Sequence, residues 1–576
     1  MSSNARKSAF KAQGFKQTID EVLKKTQELY LSDEIPWVVG YSGGKDSTAV
    51  LQLVWLALAD LPKEKHIKPV HVISTDTLVE NPVVALWVEA SLAKINQSAE
   101  AQDLPIQAHR LTPAVENRFW VNVIGKGYPA PRPKFRWCTD RLKIKPSETF
   151  IKDTVKQNGE AILVLGTRKL ESTTRSANMR EAEEHERNTR EGLVADQTLD
   201  RVWKFTPIGE WSNDDVWVYL NQIRNPWGVE NFQLQTMYQG ATEDNECPLV
   251  VDTTTPSCGD SRFGCYVCTL VGQDKSLHAM IHNDDEKIWM APLLELRDDY
   301  LDHTNYEVDR SRRDWRRMDG RTTLHINTRY GEAKLVYGPY TEEHRHELFK
   351  AVLRAQLAIQ ENGPEEVRSM KLLNDDDMEA IRRIWVMEKH EIEDALPGLY
   401  QEVMGEPYPG IQLTEGLSFG AEEMLLLKRA CELYVKKNPD SEIDPILLYK
   451  QTRELLHIEL QNKTMIRRAK LYDTLERAIE KYSFANETEA LTYRLRKEIK
   501  STEIKLDTLM EEVKHLSGKV ELRKKKDKEI KETEQRLQIA RDQLKDVLSL
   551  EEDVDLVHII TPQTTAQDGN TVDHVA

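Results

Sequence analysis

Residues Trp37 to Thr48 constrain this 576-residue chain more than any other stretch. Trp37-Val38-Val39-Gly40 is an apolar run, Tyr41-Ser42-Gly43-Gly44 a tight glycine turn, and Lys45-Asp46-Ser47-Thr48 the opening of a helix. Two adjacent glycines let backbone N–H groups converge on an anion, and the positive end of the following helix dipole adds to that pull. Phosphate is the ligand such a turn suits. The spacing fits neither the Walker loop, which needs Gly-Lys-Ser/Thr after a longer loop, nor the dinucleotide fingerprint. The plainer alternative is a glycine turn that only joins a strand to a helix.

The flanking sequence keeps a strand–helix alternation. Residues 17–30 read as a helix ahead of the Pro36 break, with Ile19, Val22, Leu23 and Leu29 on helical spacing. Thr48–Leu58 is an apolar helix, Pro69–Ser74 a strand ending in Thr75-Asp76-Thr77, 82–102 a helix and Ile106–Leu111 a short strand. The unbroken apolar run Ala161–Gly166 predicts a buried strand. Such alternation predicts an α/β fold with a parallel, doubly wound sheet covered on both faces. Ligands then sit beyond the carboxyl ends of the strands, which nominates the turn 42–47, Asp76 and the segment Thr167-Arg168-Lys169. Ser212 and Asp215 have the spacing of a capping box, a packing feature.

Ser42-Gly43-Gly44-Lys45-Asp46-Ser47 resembles the Ser-Gly-Gly-x-Asp-Ser loop of the PP-loop ATP pyrophosphatases, which split ATP between its α and β phosphates. Three further segments extend the likeness: Arg136-Trp137-Cys138-Thr139-Asp140-Arg141-Leu142-Lys143, Gly166-Thr167-Arg168 with Glu171-Ser172, and Pro207-Ile208 with Trp211, Asp215-Val216-Trp217 and Tyr219-Leu220. Together they resemble the branch containing phosphoadenosine phosphosulfate reductase and the small subunit of ATP sulfurylase. The resemblance implies that Ser42, Gly43, Gly44, Lys45, Asp46, Ser47, Asp76 and Arg168 bind ATP, with Asp46 assisting through Mg2+.

Cys247, Cys258, Cys265 and Cys268 lie within 22 residues, a density that signals a metal centre. Thiolates so spaced hold zinc or an iron–sulfur cluster, and spacing alone does not choose. The combination with the loop resembles the DndC family, sulfurtransferases of bacterial DNA phosphorothioation, and that resemblance implies a 4Fe-4S cluster. The chain departs from assimilatory sulfonucleotide reductases, whose catalytic cysteine lies in a Glu-Cys-Gly-x-His tail; here the last residues are Val572-Asp573-His574-Val575-Ala576. Cys138 has Lys134, Arg136, Arg141, Lys143 and Lys145 nearby in sequence, opposed by Asp140, so its thiol pKa is expected to be lowered. The same charges serve equally to hold a phosphate. The family motif favours a sulfur-handling, catalytic Cys138, while Cys431 sits in a helical run as a structural cysteine.

A formal charge of -17 argues against indiscriminate coating of nucleic acid, so any such contact must be local. Arginines 310, 312, 313, 316, 317 and 321 around Trp315, and Lys519 to Lys531, are interleaved with acids and read as solvated helix faces. No apolar run reaches the roughly 20 residues of a membrane span, and no signal-peptide core follows the N-terminus, so a cytoplasmic protein is expected. Late in the chain Leu495, Leu509, Leu516, Ile530, Leu537 and Leu544 share one heptad position, and Ile499, Leu506, Val513, Val520 and Leu548 the other, with Ser517-Gly518 able to close a helical hairpin.

The expected organisation is an N-terminal helical segment (1–35), a PP-loop domain (36–230), a four-cysteine segment (231–290), a mixed accessory region (291–420), a helical and partly coiled-coil region (421–560) and a disordered tail (561–576). The resemblance implies an ATP-dependent sulfurtransferase that adenylates a DNA backbone phosphate and delivers sulfur from Cys138. Its partners would be DNA, a cysteine desulfurase as donor, and other proteins of the phosphorothioation system. Sulfonucleotide reductases and tRNA thiolases use the same loop on other acceptors. The alternative from another class is a non-catalytic nucleotide-binding assembly module.

Overall fold

The computed structural model describes residues 8–169, 189–190, 192–241, 264–410, 420–439, 443–463, 468, 470–515 and 520–560. The chain divides into two compact units that do not follow sequence order. One comprises Met1–Asp309, Glu342–Ile384 and Ala395–Ile411; the other comprises Arg310–Thr341, Trp385–Asp394 and Gln412–Ala576. The stretch 291–420 is therefore shared between them.

The first unit is built on a seven-stranded sheet. Its strands are β1 (Trp37–Gly40), β2 (Val70–Thr75), β3 (Ile106–Leu111), β4 (Ala161–Val164), β5 (Thr189–Arg190), β6 (Leu193–Ala195) and β7 (Val202–Phe205). They lie in the order β3-β2-β1-β4-β7-β6-β5. The first five in that order are mutually parallel, with Trp37 opposite both Val70 and Ile162, and β6 and β5 add an antiparallel edge. Trp37, Val38, Val39, Ala161, Ile162 and Val164 are fully buried, as strands covered on both faces require. The chain runs outward from β1 through β2 to β3, then returns to place β4 on the other side of β1. The strand order thus reverses beside β1, and a crevice opens there at the carboxyl ends.

The helices that flank this sheet include α1 (Phe15–Leu31), α2 (Lys45–Ala59), α3 (Pro82–Ala101) and α4 (Lys145–Asn158). Helix α2 is apolar all round, with Ala49, Val50, Leu51, Leu53, Val54, Trp55, Ala57 and Leu58 fully buried, so it forms the spine of the core. The Ser212–Asp215 capping box is present: the Asp215 N–H donates to Ser212 Oγ (3.1 Å) and the Ser212 N–H to Asp215 Oδ2 (2.8 Å). It starts the helix Asn213–Gln222. No helix among the described residues is long and apolar enough to cross a membrane.

The second unit carries the antiparallel pair β8 (Leu324–Asn327) and β9 (Glu332–Leu335) and the helices Ala421–Lys437, Pro445–Asn462, Leu471–Lys481, Glu487–Lys514 and Val520–Ile560. The last two run antiparallel. Arg536 pairs with Glu498 (2.7 Å), Lys505 with Glu529 (3.3 Å) and Lys526 with Glu512 (2.6 Å), so advance along one helix matches retreat along the other. Leu495, Leu509 and Leu537 of the expected seam are buried, whereas Val520 is exposed. Leu516 and Ser517-Gly518 lie outside the described residues. Leu495, Ile539 and Ala540 form one core with Ile326 and Ala333 of the small sheet.

Of the arginines around Trp315, Arg317 and Arg321 are exposed as expected, but Arg310, Arg313 and Arg316 are not part of a solvated helix face. Arg316 donates to the carbonyls of Lys481 (3.1 Å) and Phe484 (3.0 Å), Arg313 to that of Gly338 (3.0 Å), and Arg310 to the Glu487 carboxylate (3.0 Å). Fixed to backbone acceptors and a carboxylate, these guanidiniums tie the unit together.

Candidate functional site

The turn between β1 and α2 occupies the crevice. Gly43 adopts φ +72, a left-handed conformation natural to glycine, and a Cβ there would lie 2.5 Å from Val88 Cγ2 of α3. Trp87 Nε1 donates to the Gly43 carbonyl at 3.0 Å, fixing the turn from the α3 side. Ser47 Oγ closes it from within, donating to the Gly44 carbonyl (3.0 Å), accepting from the Ser42 N–H (3.2 Å) and lying 3.2 Å from Ser42 Oγ. Gly44 is the N-cap of α2 and has no side chain to cap the helix. The Lys45 N–H reaches the Tyr238 hydroxyl at a long 3.5 Å, and the following N–H groups of the first turn face the crevice at the positive end of the helix, an arrangement that fits a phosphate chain.

The β4 side supplies the counterpart. Gly166 approaches so closely that a Cβ on it would lie 2.9 Å from the Asp46 carbonyl carbon and oxygen. Two residues on, Arg168, 4% exposed, donates from Nε to Asp46 Oδ1 at 2.7 Å. Lys45 Nζ stands 3.3 Å from the other carboxylate oxygen and 5.5 Å from the centre of the Tyr238 ring. Asp46 is therefore held by two cations. That donor set does not fit the expected magnesium role: a carboxylate neutralised by Arg168 and Lys45 has little charge left for a divalent ion, and no step is derived through one.

Asp76, expected to bind nucleotide, ends β2 and points sideways. It is ion-paired with Arg110 at the end of β3, and its Oδ1 accepts from the Leu78 N–H at 2.8 Å. It sets the path of residues 77–80, and Cys265 docks on that path. Cys265 forms a bridge with Glu80, the Tyr266 N–H donates to the Val79 carbonyl at 3.0 Å, and Thr77 Oγ1 lies 3.4 Å from Cys265 Sγ. The Cys268 N–H closes a turn onto the Cys265 carbonyl (2.9 Å), and Arg297, 1% exposed, donates to the carbonyls of Cys268 (2.9 Å) and Val271 (2.6 Å). Glu80 and Trp87 are seven residues apart, so the segment leading into α3 (Pro82–Ala101) touches the cysteine turn and the first turns of α3 touch the phosphate loop.

Burial pushes the Cys265 thiol up to about 12, partly offset by Lys143, whose own ammonium is favoured first by Cys265 and then by Glu80 at 3.5 Å. Cys247 and Cys258 lie outside the described residues, and among the described residues no group of three or more His, Cys, Asp or Glu side chains is arranged to hold a metal ion. The described half of the expected centre is thus a clamped Cys-x-x-Cys turn, a form thiolate ligands take in zinc and iron–sulfur sites alike.

Cys138 precedes a wide π-helical turn, Thr139–Ile144, that leads into α4. Its thiol pKa is raised, first by burial and further by Cys268, which is near enough to bear on it electrostatically. This corrects the expectation of a lowered value. The cations adjacent in sequence face elsewhere: Arg141 binds Asn122 and Tyr128, Lys145 pairs with Asp140, and Lys143 turns to Glu80 and Cys265.

Two residues on the phosphate loop escaped the sequence reading. Trp87 is visible there only as one apolar residue of a helix. Tyr238, on the helix Asn231–Gly240, places its hydroxyl 3.5 Å from the Lys45 nitrogen and 3.1 Å from where a Gly44 Cβ would stand. Burial pushes its pKa up to about 12. Its separation of nearly two hundred residues from the loop left no local signal. Glu171 and Ser172 lie outside the described residues.

Against known families, residues 36–269 match the phosphoadenosine phosphosulfate reductase domain. Those residues form a reductase-like domain of the PP-loop type. The match ends just past Cys268, so the cysteine turn belongs to the reductase-like domain by sequence as well as by packing. An uncharacterized protein of Methanocaldococcus jannaschii, MJ0066, is 27% identical over 192 residues, 33% of this chain and 32% of that protein, so the likeness spans about a third of that relative. Among solved structures, the U34-tRNA thiolase NcsA from Methanococcus maripaludis with its 4Fe-4S cluster aligns over 51% of this chain and 83% of its own, at 13% identity. Its TM-score of 0.25 is too low to bear on function.

Proposed function

We propose that the chain is an ATP-dependent sulfurtransferase of DNA phosphorothioation. One observation carries the reading: a helix N-terminus behind two glycines, placed where the strand order reverses and locked to the β4 side by Arg168 on Asp46. The N–H groups at the start of α2 hold the β and γ phosphates of ATP, and Ser42 and Ser47 border them. A non-bridging oxygen of a DNA phosphodiester attacks the α phosphorus, a P–O bond forms, and pyrophosphate leaves. A phosphate oxygen is a poor leaving group, and joining it to AMP makes it displaceable.

The terminal sulfur of a persulfide on Cys138, loaded by a cysteine desulfurase, then attacks the DNA phosphorus and displaces AMP. A second thiol cleaves the S–S bond, which releases the phosphorothioate and leaves a disulfide for an external thiol to reduce. Partial burial of Cys138 raises its thiol pKa, which favours the protonated form at rest. The choice of DNA as acceptor rests on the resemblance of the loop and cysteine pattern to that family. The sulfonucleotide reductase reading draws on the domain match itself.

The test is mass spectrometry of nuclease digests from cells with and without the gene, paired with pyrophosphate release by purified protein. Phosphorothioate-linked dinucleotides that depend on the gene and on Cys138 are expected. Thiolated tRNA nucleosides, or sulfite made from a sulfonucleotide, would replace the acceptor. Absence of pyrophosphate release from folded protein would overturn the enzymatic reading.

A further inference from the structure

Just before Cys138 the chain makes a tight turn, Arg132-Pro133-Lys134-Phe135. The Phe135 N–H donates to the Arg132 carbonyl (2.8 Å) and the Arg132 N–H to the Phe135 carbonyl (3.2 Å), with Pro133 at the position where its fixed φ favours such a turn. Both stems are anchored. On one side Arg132 pairs with Asp309 (2.6 Å), and the Pro131 carbonyl accepts from Thr269 Oγ1 (2.7 Å), which fixes the stem to the residue after Cys268. On the other, Trp137 Nε1 donates to the Pro129 carbonyl (3.1 Å) and its ring stacks on Phe119, centroids 5.5 Å apart.

Between these anchors Lys134, Phe135 and Arg136 face solvent, the Phe135 ring 43% exposed. Neither cation has a side-chain hydrogen bond or ion pair among the described residues. An isolated exposed ring calls for no explanation. This one stands on a backbone clamped from both sides, between two uncommitted cations, in a chain whose net charge is -17. Nucleic acid uses that combination of contacts: phosphates meet the cations while a base stacks on the ring. An acidic peptide would engage the cations and leave the ring without a partner.

We propose that the turn 132–135 is a docking platform for the acceptor strand, with one DNA base stacked on Phe135 and neighbouring phosphates on Lys134 and Arg136. This rests on the reading of the chain as a DNA sulfurtransferase that carries sulfur on Cys138. Phe135 and Cys138 are three residues apart, a span of at most about 10 Å, and a strand advances at least about 3.4 Å per nucleotide. The stacked base therefore lies within about three nucleotides of the phosphate that meets the thiol. A ring face reaches a base only where that base has left its stack, so the platform selects single-stranded or locally opened DNA. Holding the base fixes the register of the strand, and with it the phosphate that receives sulfur.

The test is fluorescence anisotropy of a labelled DNA oligonucleotide, single-stranded or as its duplex, titrated with the full chain at several salt concentrations. Phe135→Leu keeps apolar bulk but removes the ring; it is expected to weaken single-strand binding about tenfold with an unchanged salt slope, and Phe135→Trp to bind as wild type. Lys134→Gln with Arg136→Gln is expected to reduce the slope of log affinity against log salt by about 1.4, two phosphates at about 0.7 each. Duplex binding should respond to the cations and not to the ring. All three positions are exposed, so urea midpoints should match wild type. Single-strand binding indifferent to these substitutions would overturn the platform and leave the sulfurtransferase reading to its own assay of digested DNA. Equal losses on duplex and single strand for Phe135→Leu would overturn the stacked base. A wild type that binds no DNA would overturn the proposal, and one that binds single-stranded RNA through Phe135 instead would overturn the DNA reading with it.

Discussion

Gly166→Ala tests whether the contact between the β4 end and α2 shapes the phosphate loop. The added Cβ would stand 2.9 Å from the Asp46 carbonyl carbon and oxygen and 3.2 Å from the Ser47 nitrogen. Carbon atoms in good contact sit about 3.5–4.0 Å apart, so the two segments must separate by about 0.6 Å. The obstructing atoms are backbone of the first turn of α2, which the Thr48 N–H to Gly44 carbonyl bond (3.0 Å) holds in place, so no side chain can swing aside. Forcing a methylene into such a position costs about 1–3 kcal/mol. Misplacement on that scale in a catalytic site costs on the order of 10- to 100-fold in rate.

The comparison is Gly159→Ala, at φ +87 and ψ −41 with nothing within 4 Å, where the cost is backbone strain alone, about 1–3 kcal/mol, and the phosphate loop is untouched. Urea unfolding followed by the fluorescence of buried Trp37 and Trp55, alongside pyrophosphate release from ATP, reads both effects. Gly159→Ala should lose stability and keep its rate; Gly166→Ala should lose both. A Gly166→Ala protein within about 0.5 kcal/mol of wild type and releasing pyrophosphate at the wild-type rate would refute the reasoning.

Arg168→Met should cost about 1–3 kcal/mol, less than a fully buried pair because Asp46 keeps Lys45 at 3.3 Å and is a quarter exposed, and Arg168→Lys should recover only part; unchanged urea midpoints would sink this. Peptide-resolved alkylation of Cys138 should rise with pH through a midpoint above that of a free cysteine, since burial raises its thiol, and a midpoint below it would restore the electropositive picture. In the second unit His390 is lowered to about 4 by burial, so the unfolded chain takes up its proton first and stability should fall as pH drops from about 6.5 to about 4. His390→Asn, which tolerates the φ of +60 at that site, should flatten that slope in acid denaturation; an equally steep slope would rule the assignment out.

What the sequence disclosed and what it hid divide along a physical line. Strands β1 to β4 and helices α1 to α3 were readable because their patterns are local: apolar runs for strands buried on both faces, helical spacing for the covering layer. The turn at 42–47 was legible for the same reason, its glycines and serines being consecutive. Arg168 was nominated by its place after a strand, and the structure brings it onto Asp46. Side-chain direction was not legible. Five cations near Cys138 in sequence suggested an activated thiol, yet Arg141, Lys143 and Lys145, on and just after the wide turn at 139–144, go to other partners and burial dominates. Arg316 near Trp315 misled likewise, since its backbone acceptors lie more than a hundred residues away. The edge strands β5 and β6 are too short to show alternation at all.

Among the described residues, the long antiparallel pair in the second unit meets the small sheet near one end, where Leu495, Ile539 and Ala540 pack on it. From Leu495 to Lys514, and back from Val520 to Ala540, each helix runs roughly 30 Å beyond that grip. The pair is consequently a lever with its fulcrum at β8 and β9. A tilt of about 10° at the fulcrum sweeps the far end through about 5 Å by the same helical dimensions, while the packed residues at the root shift by a fraction of that. Small repacking among Ile326, Ala333 and Leu495 is thereby geared up into displacement at the tip, and stiffness at three buried side chains governs how far it reaches.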